Sequence, residues 1–223
     1  MKNILCVFLF SLIIISSLFA QKNTTLLFEH LFDGKRIDLE TPIITSSGDT
    51  IYISRCQYYI GNIESEKKSI KNNYFLIRLD TNSTQKIVLK NFIATQKLHF
   101  SIGILPQHNQ KNSILEQKGD LDWSNGMFWN WESGYIFFKL EGYFFVNGQK
   151  KGLIFHLGKN EAFTPIQINQ ITTQKDKHIH IKVHLDKFFP QKPLKEWTFE
   201  KGISIMEGEK AKDWLERLSR LFE

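Results

Sequence analysis

The sequence predicts an all-β protein, an antiparallel β-sandwich with a long aromatic loop and a C-terminal α-helix. First, apolar and polar residues alternate in short runs that are separated by turn signals, roughly every 8 to 15 residues. Second, the apolar spacing typical of an amphipathic helix stands out in one segment near the C-terminus. Third, 42% of the 223 residues are hydrophobic, 13% are aromatic and only 5 are proline, which excludes a disordered or low-complexity chain.

The N-terminal residues are typical of a secretory signal peptide. Lys2 precedes an apolar run over residues 4–15, and the small residues that follow end at Ala20. We therefore expect residues 1–20 to be removed and residues 21–223 to form a single domain in the periplasm or outside the cell. Because no later run approaches the ~20 apolar residues that a bilayer requires, we expect no membrane span after cleavage.

The strands are predicted in order from the alternation. Leu26, Phe28 and His30 share one face of the first strand, which the Asp33-Gly34 turn ends. Later strands are predicted over residues 50–54, 74–79, 86–89, 98–105, 135–146, 152–157 and 179–185. Asn147-Gly148 lies between two of these runs and is the strongest hairpin signal in the chain.

Two other segments complete the predicted architecture. Ala211, Trp214, Leu215, Leu218 and Leu221 recur at spacings of three and four, which predicts a helix that packs one face on the sandwich. The segment from residue 106 to residue 134 has no clear periodicity but is rich in tryptophan and other aromatic residues. Connections of this length tend to be functional, and this one is too aromatic to be disordered.

Most enzyme signatures are absent from the sequence. It has no phosphate-binding glycine loop, no Gly-x-Ser-x-Gly elbow, no His-Glu-x-x-His and no Cys-x-x-Cys. Cys56, the only thiol left once the leader is removed, is a formal candidate nucleophile, but a lone cysteine in a β-run is more often buried packing. Asp120 and Asp122 could act as a carboxylate pair or bind a cation, and loop capping is the simpler interpretation. We therefore expect the protein not to be an enzyme.

The seven histidines are the most informative polar residues. His178, His180 and His184 share one face of a strand with Lys182, whose charge opposes a metal ion there, so a solvated face is favoured. His30 and His156 instead lie among apolar neighbours, where a partner for each ring nitrogen comes from backbone, carboxylate or metal. From the residues alone, the simpler interpretation is that both are core histidines whose ring nitrogens form hydrogen bonds within the protein.

Nucleic-acid binding is not supported by the charge. The formal net charge is +6, but the lysines are scattered and an exported protein rarely meets DNA. We therefore expect no nucleic-acid partner.

One motif resembles a known family. The motif runs Asp122-Trp123-Ser124-Asn125-Gly126-Met127-Phe128-Trp129-Asn130-Trp131-Glu132-Ser133-Gly134-Tyr135 and continues to Gly142. It is similar to the central motif of the MbnP-like proteins, exported copper-binding proteins associated with methanobactin systems. Weaker similarities lie at Leu27–His30, Gln57–Ile63, Phe155–Gly158 and Ile203–Met206, so the resemblance spans nearly all of the chain after the leader.

The resemblance implies a non-enzymatic, extracytoplasmic β-sandwich that handles copper, as Cu(I) or Cu(II). By position in the motifs, it implies His30 and His156 as metal ligands and Trp129 and Trp131 as cofactor-binding residues. In characterised relatives a tryptophan is oxidised to kynurenine by a di-haem peroxidase-like enzyme, which is then a partner. The alternative is an extracytoplasmic ligand- or protein-binding module that uses the same scaffold without a metal.

Overall fold

The protein is a sandwich of two β-sheets. The computed structural model describes residues 23–94, 96–109, 118–130, 133–169, 171, 178–191, 193, 202–206 and 209–223. The predicted leader, residues 1–20, lies outside the described residues. Within the described part of the chain, no helix is long and apolar enough to cross a bilayer.

Thirteen strands and one α-helix are described. The strands are β1 (Thr24–Phe32), β2 (Lys35–Arg36), β3 (Pro42–Ile44), β4 (Thr50–Ser65), β5 (Ser69–Arg78), β6 (Lys86–Leu89), β7 (Lys97–Ile102), β8 (Phe128–Asn130), β9 (Gly134–Val146), β10 (Gln149–Gly158), β11 (Thr164–Asn169), β12 (His178–His184) and β13 (Gly202–Ile205). The helix is α1 (Glu209–Leu218). Single turns of 3-10 helix cover residues 82–85, 106–108, 119–121, 123–125, 160–162 and 185–188.

The smaller sheet is built on β1. Its order is β12-β1-β2, and β6 also pairs with β1. β1 and β12 run parallel, with Thr25 opposite His178 and Leu31 opposite His184. The other edge of β12 bonds to the C-terminal residues, because Val183 bridges to Phe222 and Lys182 exchanges both backbone hydrogen bonds with Glu223.

The larger sheet is built on the long strands β4 and β9. Its order is β11-β7-β4-β9-β10-β13; in addition, β3 and β5 pair with β4, and β8 pairs with β9. The pairs are antiparallel except β10 with β13, which is parallel. The hairpin predicted at Asn147-Gly148 joins β9 to β10, and both residues have positive φ, as a type I′ turn requires.

The main core lies between the two sheets because alternate residues of each strand point inward. Leu26, Phe28 and His30 of β1 are buried, as predicted from the alternation. The Tyr58 ring of β4 packs on Phe28 and on Phe138 of β9. Helix α1 adds Trp214, which contacts Phe155 and Phe188, so the predicted helix does pack against the sandwich.

The outer face of the larger sheet carries a second apolar layer. The segment 118–130 lies on it, with Leu121 and Met127 buried. Two tyrosine hydroxyls tie this segment to the sheet: Tyr59 donates to Asp120 O at 3.0 Å and Tyr135 donates to Leu121 O at 2.6 Å. Residues 118–130, a described part of the predicted aromatic loop, therefore form a cap on the sheet.

The all-β prediction is confirmed. Strands dominate, one helix closes the C-terminal region, and the layers form a curled sandwich. The two parallel pairs, β1 with β12 and β10 with β13, were not predicted, because strand partners distant in sequence leave no local pattern.

Candidate functional site

A polar cluster crosses the outer face of the larger sheet and is centred on His156. Phe155 and Leu157 point into the main core, so His156, between them on β10, points outward. Its Nε2 lies 2.7 Å from Oε1 of Glu141 on the neighbouring strand β9. The other carboxylate oxygen, Oε2, accepts a hydrogen bond of 2.9 Å from Nη1 of Arg55, the residue opposite Glu141 on β4. Guanidinium, carboxylate and imidazole thus form one chain across three strands.

The imidazole of His156 is largely covered. Burial holds its pKa below the usual value, and the hydrogen bond to Glu141 partly opposes this. The ring is therefore mainly neutral at pH 7, which is the form that binds metal ions.

Lys139 fixes the cap beside this cluster. It lies opposite His156 in the β9–β10 ladder and is almost fully buried. Its Nζ donates to the backbone oxygen of Gly126, at the start of the segment that leads to Trp129. Burial lowers the pKa of Lys139, opposed by the charge of Glu141.

Trp129 lies against the same strand as His156. A Cβ placed on Gly158 would lie 2.7 Å from Cζ3 of Trp129, so the indole occupies the space that any side chain at residue 158 would need. Gly158 is two residues beyond His156, and the β9–β10 ladder is irregular between Leu157 and Gly158. The structure therefore brings Trp129 to the end of β10 that follows His156. Trp131, the other predicted cofactor-binding tryptophan, lies outside the described residues.

His30 lies in a different environment, inside the main core. It is 1% exposed, and its Nε2 lies 3.1 Å from the hydroxyl of Tyr58. Among the described residues its Nδ1 makes no hydrogen bond of ordinary length, although the Gln85 side chain lies beside the ring. Burial lowers the pKa of His30 to about 4, so the ring is neutral at pH 7.

The structure does not bring His30 and His156 together. His30 contacts β4 from inside the sandwich, whereas His156 points away from the sandwich on the reverse face of the sheet. β10 is also two strands from β4, a separation of roughly 10 Å. In the described ranges no three His, Cys, Asp or Glu side chains converge as a metal-binding group. His30 and His156 therefore stay predicted ligands of two separate sites, and not of one shared site.

The enzymatic alternatives from the sequence rest on Cys56 and on the pair Asp120 and Asp122. Cys56 is 1% exposed, and burial raises the pKa of its thiol to about 12, which leaves little reactive thiolate. Asp120 accepts from the Leu76 backbone N–H, whereas Asp122 caps a 3-10 turn by accepting from Ser124. The two carboxylates therefore have separate roles, since Asp120 joins its segment to β5 and only Asp122 caps a turn.

The histidines of β12 alternate as predicted. Ile179, Ile181 and Val183 are buried, and His180 is exposed on the outer face of the smaller sheet. Nε2 of His184 lies 3.2 Å from the carboxylate of Glu223, so this ring faces the segment that borders β12.

Comparison with known proteins identifies the family. The sequence model of the family MbnP matches residues 21–207. The chain belongs to the MbnP family. MbnP from Methylosinus trichosporium is similar in fold, with a TM-score of 0.57 and 17% sequence identity, over 76% of this chain and 78% of that one. No curated protein sequence gives a significant match. The resemblance inferred from the tryptophan-rich motif is therefore confirmed.

Sequence reasoning missed the residues that position His156 in this MbnP-family protein. Arg55, Glu141 and Lys139 are ordinary polar positions on alternating strands, and only the register of β4, β9 and β10 shows that they are neighbours. One usable signal was the Lys139-Leu140-Glu141 spacing, which places two charges on one face of an otherwise apolar strand.

Proposed function

We propose that this MbnP-family protein is an exported, non-enzymatic copper-binding protein that acts in the periplasm or outside the cell. The observation that carries the proposal is the position of Trp129 against β10 at Gly158, two residues beyond the neutral imidazole of His156. Family membership supports the same function. Within the family, this implies association with a methanobactin system.

The chemistry at His156 suits copper. Imidazole is a ligand that suits copper. Of the two cations nearby, Arg55 is paired with the Glu141 carboxylate, whereas Lys139 donates only to the neutral Gly126 carbonyl. The charge of Lys139 therefore opposes a bound cation, and copper binding at His156 has to offset this repulsion. Trp131 follows in the same motif and stays a proposed second aromatic partner.

His30 is a separate candidate ligand. Its neutral ring and its Nδ1 are compatible with a metal, but the site would lie in the core, beside Tyr58. Because the two rings lie on different sides of the larger sheet, copper binding at each is tested by its own variant.

The experiment is a competition titration of the purified protein with Cu(I) and Cu(II) against a weak chelator. We expect the protein to take up copper, His156→Ala to lose the uptake at the outer face, and His30→Gln to lose any uptake in the core, while the circular dichroism spectra are unchanged. His180→Ala removes an exposed imidazole from the other sheet and is the matched control. No uptake by the unaltered protein would refute the proposal and favour a binding module without a metal.

A modified tryptophan is part of the same proposal. We propose kynurenine at Trp129 or Trp131, formed by a partner di-haem peroxidase-like enzyme. Intact-mass analysis of protein from the native source checks this, since the conversion changes the mass of one tryptophan residue. An unmodified mass would refute both the proposed kynurenine and the proposed partner enzyme. It would not affect the copper proposal, because copper uptake is measured independently.

A further inference from the structure

The hydrogen-bonded chain across β4, β9 and β10 points to a role for Glu141 that rests on the proposed copper function. We propose that Glu141, held by Arg55, fixes the tautomer of His156 with its proton on Nε2, so that Nδ1 is the nitrogen that binds copper. Glu141 and Arg55 are thus positioning residues.

The contact between His156 and Glu141 requires one hydrogen-bond donor and one acceptor. A neutral imidazole has one N–H and one lone pair, and an ionised carboxylate only accepts. Oε1 of Glu141 lies 2.7 Å from Nε2 of His156, so this contact is a hydrogen bond only when Nε2 carries the proton. The lone pair is then on Nδ1, for which no hydrogen bond to another described side chain is found.

The carboxylate of Glu141 is held in one orientation. Oε2 of Glu141 accepts from Nη1 of Arg55 at 2.9 Å, so each oxygen has its own partner. Arg55 and Glu141 are opposite residues in the β4–β9 ladder, which fixes their spacing through the backbone. The carboxylate cannot rotate without breaking one of the two hydrogen bonds, and therefore the orientation of the imidazole is fixed as well.

A carboxylate in this position strengthens metal binding by the histidine that it orients. Carboxylates that accept from the second nitrogen of a metal-binding histidine orient the ring and increase its basicity, and their loss typically weakens metal binding 10- to 100-fold. The Arg55 guanidinium keeps this carboxylate in place, and its positive charge partly offsets the negative charge of the carboxylate.

The test combines a tautomer measurement with a copper measurement. A long-range proton–nitrogen correlation spectrum of the labelled, metal-free protein identifies the protonated nitrogen of His156, assigned by the signals lost in His156→Ala. We expect proton on Nε2 in the unaltered protein and a mixture of tautomers in Glu141→Gln, because an amide can either donate or accept. Copper competition should show about 10- to 100-fold weaker binding in Glu141→Gln.

Glu64→Gln is the matched control, since Glu64 also accepts a hydrogen bond on β4, from Ser69, but at an exposed position. It should change neither readout. A proton on Nδ1 in the unaltered protein, or an unchanged tautomer in Glu141→Gln, would overturn the inference whatever the copper result. Absence of copper binding with the predicted tautomers would instead refute the proposed function and leave the positioning of His156 by Glu141 intact.

Discussion

Acidification should destabilise the protein through His30. The ring is neutral in the folded core, where its pKa falls from 6.5 to about 4, but it takes up a proton in the unfolded chain below pH 6.5. The unfolded state then binds more protons, so the contribution of His30 to stability is complete above about pH 6.5 and is lost as the pH falls toward 4. The free energy of unfolding should decrease by about 2 kcal/mol between pH 7 and pH 5, and by about 3 kcal/mol in total.

The assay is urea denaturation at closely spaced pH values, followed by tryptophan fluorescence. Carboxylates also titrate in this range, so the quantity to compare is the loss of stability on acidification in the unaltered protein and in His30→Gln. Glutamine can still place a polar group near the Tyr58 hydroxyl but does not titrate. We expect the variant to be less stable at pH 7 and to lose about 2 kcal/mol less between pH 7 and pH 5.

The control is His180→Gln, which removes an exposed imidazole from β12. It should follow the unaltered protein across the whole pH range. If His30→Gln loses stability in parallel with the unaltered protein, His30 is not the group responsible and the reasoning from its burial is wrong.

Three further predictions follow from the packing. Gly158→Ala should destabilise the protein and shift its tryptophan emission, because the new Cβ would lie 2.7 Å from the Trp129 ring and 2.5 Å from a backbone oxygen; an unchanged spectrum and melting temperature would contradict this contact. Cys56 should not react with a thiol reagent until urea unfolds the protein, since burial raises its pKa to about 12; rapid modification of the native protein would refute it. Phe222→Ala should cost about 3–5 kcal/mol of unfolding free energy, because the ring is buried against Tyr58; a loss below about 1 kcal/mol in urea denaturation would show that this contact is weak.

Much of the fold was predictable because it depends on local patterns. The alternation at Leu26, Phe28 and His30 correctly gives the buried face of β1, and Asn147-Gly148 correctly gives the β9–β10 hairpin. β4 extends over Thr50–Ser65, well beyond the predicted strand, because its later residues are buried on both faces and do not alternate.

The candidate site was predictable only in part. The motif identified the family and the segment that carries Trp129, which lies against β10 at Gly158. The separation of His30 from His156 could not be predicted, since both are single histidines among apolar residues. One faces the sandwich and the other faces away, and that difference depends on the position of each strand in its sheet.

The parallel pairing of β1 with β12 has a consequence for folding kinetics. Thr25 forms its ladder with His178, so this contact closes a loop that contains most of the chain. Such non-local pairing is slow, because the entropy of loop closure opposes it before the contacts can form, whereas the β4–β5 and β9–β10 hairpins form locally. We therefore expect the smaller sheet to assemble late, with one edge of β1 unpaired until β12 arrives. During that interval the unpaired edge of β1 presents backbone groups that can pair with another chain, so the incompletely folded protein is prone to aggregation.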